Sequence, residues 1–149
     1  MKKKRQFLRK YTGNEMKREI SMIVLDTDIL IEIFDRRSAV GEEILGKIEG
    51  YEVATTSINL HEIVYGFYKV KKEIIREFME FNILDYTRSD ALLSAKLEAE
   101  LEKIGKPVGR FDTMIAAICI NRDAMLSTLN RTHFERFVGF GLRLFTANQ

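Results

Sequence analysis

The stretch MIVLDTDILI, from Met22 to Ile31, decides the fold of this 149-residue chain. Its first four residues are apolar and lead directly into Asp26, and such an uninterrupted run is typical of a strand buried on both faces of a parallel sheet. In open α/β sheets, ligands bind outside the carboxyl ends of the strands, which is where Asp26 would lie. Because a buried charge is costly, we expect its carboxylate to face a crevice, a cation or hydrogen-bond donors, or to cap a helix that starts near Thr27.

The composition indicates one domain with a substantial core. Hydrophobic residues make up 46% of the chain and include ten Phe, and ~100–200 residues is the usual length of a domain. No apolar run approaches the ~18 residues of a membrane-spanning helix. The single cysteine, Cys119, lies in an apolar run. It excludes an internal disulfide, predicts a small buried side chain rather than a nucleophile, and suits a reducing cytoplasm.

The net charge of +2 is unevenly distributed along the chain. Residues 1–20 contain eight Lys or Arg and two Glu, so they carry +6 and the remainder carries −4. We expect residues 1–21 to form a basic, disordered leader and residues 22–149 to form the single domain. A nucleic-acid-binding arm is the alternative for the leader.

Apolar and polar residues alternate in segments that predict strands and helices in turn. After the first strand, we expect strands near residues 51–55, 82–86, 124–127 and 142–145. We expect helices near residues 28–34, 38–48, 57–67, 71–81, 89–104 and from residue 112 onwards. Residues 128–137 are predicted to form a loop with at most one helical turn. Short links between alternating elements favour a three-layer α/β/α sandwich with a mostly parallel central sheet.

Three acidic residues occur next to predicted core. Asp26 ends a buried strand, Glu62 lies in an early turn of an apolar helix, and Asp112 introduces a helix that is apolar nearly all round. Singly, each has a plain explanation as a helix cap or a solvated surface residue. Together they favour an oxygen-only site for Mg²⁺ or Mn²⁺. The two histidines, His61 and His133, lack the spacing of ligands, and we expect them at the surface or behind the site.

Four stretches that include these residues follow one another along the chain. They are LDTD at 25–28, SINLHEIVYG at 57–66, DTMIAA at 112–117 and LSTLNRTHF at 126–134. In this order they resemble the four motifs of PIN-domain ribonucleases, and most closely those of VapC-type toxins from toxin–antitoxin operons. The resemblance covers about residues 22–145 and implies a PIN-like α/β/α fold with Mg²⁺-dependent endoribonuclease activity, in which Mn²⁺ can substitute.

The resemblance assigns the catalytic and metal-binding positions to Asp26, Glu62 and Asp112. Its fourth position falls on Asn130, a neutral residue, which leaves open whether the site binds one metal ion or two. Thr27 and Thr128, together with Asn130, are expected to position the metal or the substrate. Arg110 and Arg131 lie beside these motifs and are expected to contact RNA, because the domain itself is acidic.

The same resemblance implies partners. These are the RNA substrate, a second copy of the chain in a homodimer, and a small VapB-like antitoxin. An antitoxin Arg or Lys could enter the negative pocket and form charge-assisted hydrogen bonds. Ile29, Ile33 and Phe34 either belong to the core or offer a groove for an amphipathic antitoxin helix.

Two other functions fit parts of the sequence. The run of Asp26-Thr27-Asp28 after a strand also suits a haloacid-dehalogenase-type phosphatase, with Asp26 as nucleophile. That class needs a downstream lysine and a further acidic motif that we do not find. A non-catalytic PIN-like binding module is the other alternative, although it would have no need of all three carboxylates.

Overall fold

The strand β1 (Met22–Leu25) forms the centre of a parallel five-stranded sheet with the order β3-β2-β1-β4-β5. The computed structural model describes residues 21–73 and 76–146. The other strands are β2 (Glu52–Thr56), β3 (Ile83–Leu84), β4 (Met125–Ser127) and β5 (Arg143–Leu144). Val24 of β1 is in register with Ala54 on one side and with Leu126 on the other. The parallel sheet predicted from the first strand is therefore confirmed.

Helices connect the strands and cover both faces of the sheet. In the described part of the chain these are α1 (Thr27–Leu30), which continues as wider π-type turns over Ile31–Arg36, α2 (Ala39–Lys47), α3 (Ser57–Lys69), α4 (Arg76–Met79), α5 (Arg88–Lys103), α6 (Arg110–Asn121) and α7 (Arg131–Phe134), which continues as a 3-10 segment over Glu135–Phe140. No helix among the described residues is long and apolar enough to cross a membrane.

Two apolar clusters lie on opposite faces of the sheet, as strand alternation requires. Ile23 and Leu25 face one cluster, together with residues of α1 and Phe78, whereas Val24 faces the other with Ile115 of α6. Every one of these side chains is essentially inaccessible to solvent. The α/β/α layering predicted from the sequence is confirmed.

Several predicted boundaries differ from the observed ones. The helix expected to open at residue 89 or 90 begins at Arg88, because Thr87 caps it and Asp90 bonds back to the Thr87 amide. The helix expected to open at Asp112 begins two residues earlier, so Asp112 lies in its first turn. The segment after β4, predicted as a loop, contains α7 and the 3-10 segment. Capping by side chains and short helical turns give weak sequence signals.

Other predictions concern single elements. The predicted strand at 82–86 shortens to Ile83–Leu84, and the charged helix predicted at 71–81 is helical at Arg76–Met79. Cys119 is fully buried and burial raises the pKa of its thiol, so its predicted role as a packing residue is confirmed. Residues 1–20 lie outside the described residues, and their leader character stays a prediction.

Gly41 lets α2 cross closely over the turns that follow α1. A Cβ at this position would lie 2.5 Å from the backbone oxygen of Glu32, whereas a Cβ at Gly46 of the same helix would meet nothing within 4 Å. We predict that Gly41→Ala lowers the free energy of unfolding by about 1–3 kcal/mol because the backbones must separate. Gly46→Ala is the matched control and should raise it by roughly 0.5–1 kcal/mol through helix propensity. Urea unfolding measures both, and equal effects would contradict the close approach.

Candidate active site

Polar side chains collect where β1, β2 and β4 end side by side. Asp26 and Thr27 follow β1, Asn59 and Glu62 lie in the first two turns of the helix after β2, and Thr128 follows β4. Asp112 joins them from the first turn of α6. The carboxyl ends of parallel strands meet at one edge of a sheet, which is where ligands bind in open α/β folds. The sequence prediction placed the site at this edge.

The carboxylate of Asp26 is the most deeply buried acid of the site, with 7% of the residue exposed. Its Oδ1 accepts hydrogen bonds from the Thr27 amide at 2.9 Å and from Asn59 Nδ2 at 2.9 Å. Its Oδ2 accepts one from Thr128 Oγ1 at 2.7 Å. Burial raises the pKa of Asp26, although these three donors oppose the shift. Asp26 therefore caps α1 and also belongs to a larger polar network. The helix cap and the hydrogen-bonded buried carboxylate, which the sequence offered as alternatives, both apply.

Asn59 connects the ends of β1 and β2, and the sequence analysis did not assign it to the site. Its side-chain oxygen accepts a hydrogen bond from Thr56 Oγ1 at 2.7 Å, which fixes the amide orientation. Its Nδ2 then donates to Asp26 and, at 3.0 Å, to Thr27 Oγ1. The side chain is fully buried. A polar residue in the first turn of the helix that follows a buried strand was the only signal that could have identified it.

Thr27 carries the network on to Glu62. Its hydroxyl donates to Glu62 Oε1 at 2.9 Å, and Glu62 is half-buried. Burial raises the pKa of Glu62, and the charges of Asp26 and Asp112 raise it further, while the Thr27 hydrogen bond acts in the opposite sense. Three acids predicted from separate motifs therefore interact electrostatically.

Asp112 is held by a histidine. Its Oδ2 lies 2.8 Å from His133 Nε2, and both side chains are partly exposed. Burial and the charge of Asp26 raise the pKa of Asp112, whereas His133 opposes the shift. The two histidines were expected at the surface or behind the site. His133 lies behind Asp112, and His61 is exposed on α3.

Asp28 is a fourth acid, and the sequence prediction left it out of the nuclease site. Its Oδ2 accepts from the Leu129 amide at 3.1 Å and lies 3.4 Å from Thr128 Oγ1. Its Oδ1 is buried and has no hydrogen-bond partner among the described residues. Burial, with the neighbouring charge of Asp26, raises the pKa of Asp28 to about 6. Asp28 therefore ties the segment after β4 to the segment after β1.

Three of the predicted site residues lie further out. Asn130 is exposed, and its backbone amide, rather than its side chain, contacts the network by donating to Thr128 Oγ1 at 3.0 Å. Arg110 Nε pairs with Glu98 at 3.1 Å on the surface. Arg131 Nη1 donates to the Phe145 carbonyl at 2.8 Å. Their proximity in sequence to the motifs does not bring these side chains into contact with the carboxylates.

The donor set of the site suits a hard divalent cation. It consists of carboxylate and hydroxyl oxygens, and Mg²⁺ and Mn²⁺ prefer such ligands. Within residues 21–73 and 76–146, no three acidic, histidine or cysteine side chains already converge as a metal shell. The charge of Asp26 nevertheless raises the pKa of Glu62 and of Asp112, and a bound cation would relieve this repulsion. The chemistry of the residues thus fits a metal.

Comparison with known proteins identifies the family. The family profile described as "PIN domain" matches residues 23–138. The chain belongs to the PIN domain family. The resemblance predicted from four motifs is confirmed, and a haloacid-dehalogenase-type enzyme is not favoured.

Individual relatives of this PIN domain carry VapC names. It is 32% identical over 122 residues to the tRNA(fMet)-specific endonuclease VapC of Shigella flexneri, covering 78% of this chain and 92% of that protein. It is 29% identical over 133 residues to Ribonuclease VapC1 of Methanocaldococcus jannaschii, covering 88% and 92%. Among solved structures, DNA-bound VapBC from Salmonella typhimurium superposes with a TM-score of 0.67 at 26% identity, covering 86% of this chain and 98% of that chain.

The raised pKa of Asp28 predicts a dependence of stability on pH. Because the folded-state pKa is about 6, above the ordinary 3.8, the folded state binds the proton more tightly. Its contribution to stability is therefore present at low pH and is lost as the pH rises from about 4 to about 6. Asp28→Asn removes the charge and keeps an acceptor for Leu129, so we predict that the variant gains stability over the wild type across this interval.

Urea unfolding in EDTA, at pH values from about 4 to about 8, measures this difference. The matched control is Asp85→Asn, which makes the same substitution at an exposed position outside the site. Parallel curves for Asp28→Asn and the wild type would contradict the raised pKa.

Proposed function

We propose that this PIN domain is a metal-dependent endoribonuclease that acts in the cytoplasm as the toxin of a toxin–antitoxin pair. The observation that carries the proposal is the convergence of Asp26, Glu62 and Asp112 at one edge of the sheet, where Thr27 donates hydrogen bonds to both Asp26 and Glu62. Isolated caps or surface acids would not lie close enough for the charge of Asp26 to raise the pKa of both Glu62 and Asp112. Similarity to proteins named as VapC ribonucleases supports RNA as the substrate.

The acids divide the work of hydrolysis. Asp26 and Asp112 are the proposed metal ligands, and Glu62 completes the shell or orients the attacking water. When bound, Mg²⁺, or Mn²⁺ in its place, polarises the phosphoryl group and lowers the pKa of a bound water. Asp112 can exchange its partner for a metal, because that partner is the partly exposed side chain of His133.

The neutral polar residues orient the acids. Thr128 holds Asp26 Oδ2, and Thr27 holds Glu62 Oε1, so each hydroxyl restricts the rotation of a proposed ligand. Asn130 supports Thr128 through its backbone, and we propose that its exposed side chain positions substrate or metal-bound water. These hydroxyls leave carboxylate lone pairs free for a cation, since each oxygen has two.

RNA must approach an acidic pocket, which requires cationic groups around it. We propose that Arg110 and Arg131 supply some of this charge. Arg110 is the better placed of the two because its guanidinium is 71% exposed and its pairing with Glu98 is a surface contact. Surface ion pairs are worth about 0–1 kcal/mol and exchange readily for a phosphate.

We predict that Asp112→Asn reduces RNA cleavage in Mg²⁺ by at least about a hundredfold, because removing a metal ligand removes charge stabilisation in the transition state. The measurement is end-mapped cleavage of a tRNA and rRNA panel. Asp123→Asn is the matched control, since Asp123 follows the same helix, is 91% exposed, and should leave the rate unchanged.

Three outcomes separate the candidate functions. Cleavage by the wild type that EDTA abolishes and Mg²⁺ restores is expected. Asp112→Asn cleaving at the wild-type rate would contradict the site. A wild type that binds RNA without cutting any of the panel would instead support the non-catalytic binding module.

The partner we propose is a small VapB-like antitoxin, and we propose that the chain forms a homodimer. Solved structures similar to this chain are titled as VapBC complexes. The pocket offers an antitoxin Arg or Lys the four carboxyl groups of Asp26, Asp28, Glu62 and Asp112, and charge-assisted hydrogen bonds are stronger than neutral ones. Ile29, Ile33 and Phe34 are 1–3% exposed, so they belong to the core and the groove considered for them is wrong.

We predict that expressing the chain alone arrests growth and that Asp26→Asn relieves the arrest. Co-expression with the neighbouring small open reading frame should restore growth and give a co-purifying complex without nuclease activity. Immunoblotting confirms equal amounts of wild type and Asp26→Asn. A wild type that is harmless at the same level would contradict the toxin assignment while leaving the nuclease assay above unaffected.

A further inference from the structure

A cleft beside the carboxylates is lined by aromatic rings. It has a volume of about 490 Å³ and is formed by Thr27, His61, Glu62, Tyr65 and Phe111. This volume lies within the ~300–1,000 Å³ typical of small-molecule sites. Two of the five residues, Thr27 and Glu62, already belong to the candidate active site, so an occupant would lie next to the reacting phosphate.

The aromatic side chains of this cleft are exposed, although they come from two different helices. Tyr65 of α3 is 58% exposed and Phe111 of α6 is 44% exposed. His61 lies between them: its ring is stacked on Tyr65 with centroids 6.4 Å apart, and it meets Phe111 edge-on at 5.6 Å. These contacts bring the three rings side by side, and both Tyr65 and Phe111 keep part of their surface open to solvent.

A cation accompanies these rings. Lys69 Nζ lies 5.5 Å from the centroid of the Tyr65 ring, one turn further along α3. The cleft thus combines partly exposed aromatic rings, a neighbouring positive charge, and the polar side chains of Thr27 and Glu62 in its lining. Proteins that bind single-stranded nucleic acid combine the same elements, because bases stack on aromatic rings while cations follow the phosphates.

We propose that this cleft binds an unpaired nucleobase of the RNA, adjacent to the phosphate that is cleaved. The proposal rests on the nuclease function proposed above and adds a base-binding subsite beside its carboxylates. Bases inside an A-form duplex are stacked on both faces and cannot reach a protein ring, whereas unpaired bases can be splayed out onto one. We assign Lys69, whose Nζ lies over the Tyr65 ring, to an RNA phosphate next to that base.

Binding of fluorescently labelled RNA to the full chain in EDTA tests the proposal without cleavage. The ligands are an RNA stem-loop and a fully paired duplex of similar length. Tyr65→Leu and Phe111→Leu remove a ring but keep apolar volume, and each should weaken binding of the stem-loop about tenfold. Tyr65→Phe should rescue the loss. Tyr68→Leu is the matched control, because Tyr68 is on the same helix, is 68% exposed and does not line the cleft.

Salt dependence separates stacking from charge. The loss caused by Tyr65→Leu should be the same in low and moderate salt, whereas Lys69→Gln should reduce the slope of affinity against salt. RNA carrying 5-iodouridine in the loop should photo-crosslink to Tyr65, His61 or Phe111, as identified by mass spectrometry. Thermal melting verifies that every variant is folded.

The outcomes that overturn the proposal are distinct from failure of the nuclease function. If both leucine variants bind the stem-loop like the wild type while the wild type cleaves RNA, the cleft is not a base site and the nuclease function stands. If they convert a dimer into a monomer by light scattering, the rings form an interface between copies and the proposal is overturned. A wild type that neither binds nor cleaves RNA overturns both.

Discussion

The carboxylate of Asp26 is buried where three strands end, and it is tolerated there only because donors from three parts of the chain reach it. Thr27 follows β1, Asn59 follows β2 and Thr128 follows β4. A buried charge without such partners would cost several kcal/mol. The same hydrogen bonds therefore join the strand ends to one another and fix the orientation of the acid. Moving any of the three segments would leave a charge unsolvated, so the geometry of the site and the packing of the sheet are one constraint.

The remaining acids are arranged at the expense of stability. Burial raises the pKa values of Asp28, Glu62 and Asp112, which means that the folded chain holds negative charge where water would solvate it better. Proteins retain such unfavourable groups mainly at functional sites. The stability is recovered elsewhere, in the two apolar clusters on either side of the sheet, where side chains such as Phe134 and Ile115 are fully buried. The acids that cost stability are thus held in place by a well-packed apolar core.

The layers and the three main acids could be predicted because they have local causes. An apolar run such as Met22–Leu25 indicates a buried strand by itself, and the motifs indicate the acids. Asn59, Asp28 and His133 could not be assigned because their roles come from contacts distant in sequence, such as the 101 residues between Asp28 and Leu129. An Asn in a first helical turn and an Asp after a strand have ordinary explanations as caps. The surface pair of Arg110 with Glu98 could not be predicted either, since closeness in sequence to a motif says nothing about side-chain direction.

Because β1 lies at the centre of the sheet but near the start of the described chain, the site can be completed only late in synthesis. The carboxylate of Asp26, which follows β1, accepts a hydrogen bond from the hydroxyl of Thr128, and Thr128 lies 102 residues later in the chain. At a synthesis rate of about 5–20 residues per second, that interval is roughly 5–20 s on the ribosome. During this time β2 can pair with β1, but the β4 edge and Thr128 are absent. A nascent chain thus has no complete site until nearly all of the domain has emerged and β4 can pair with β1.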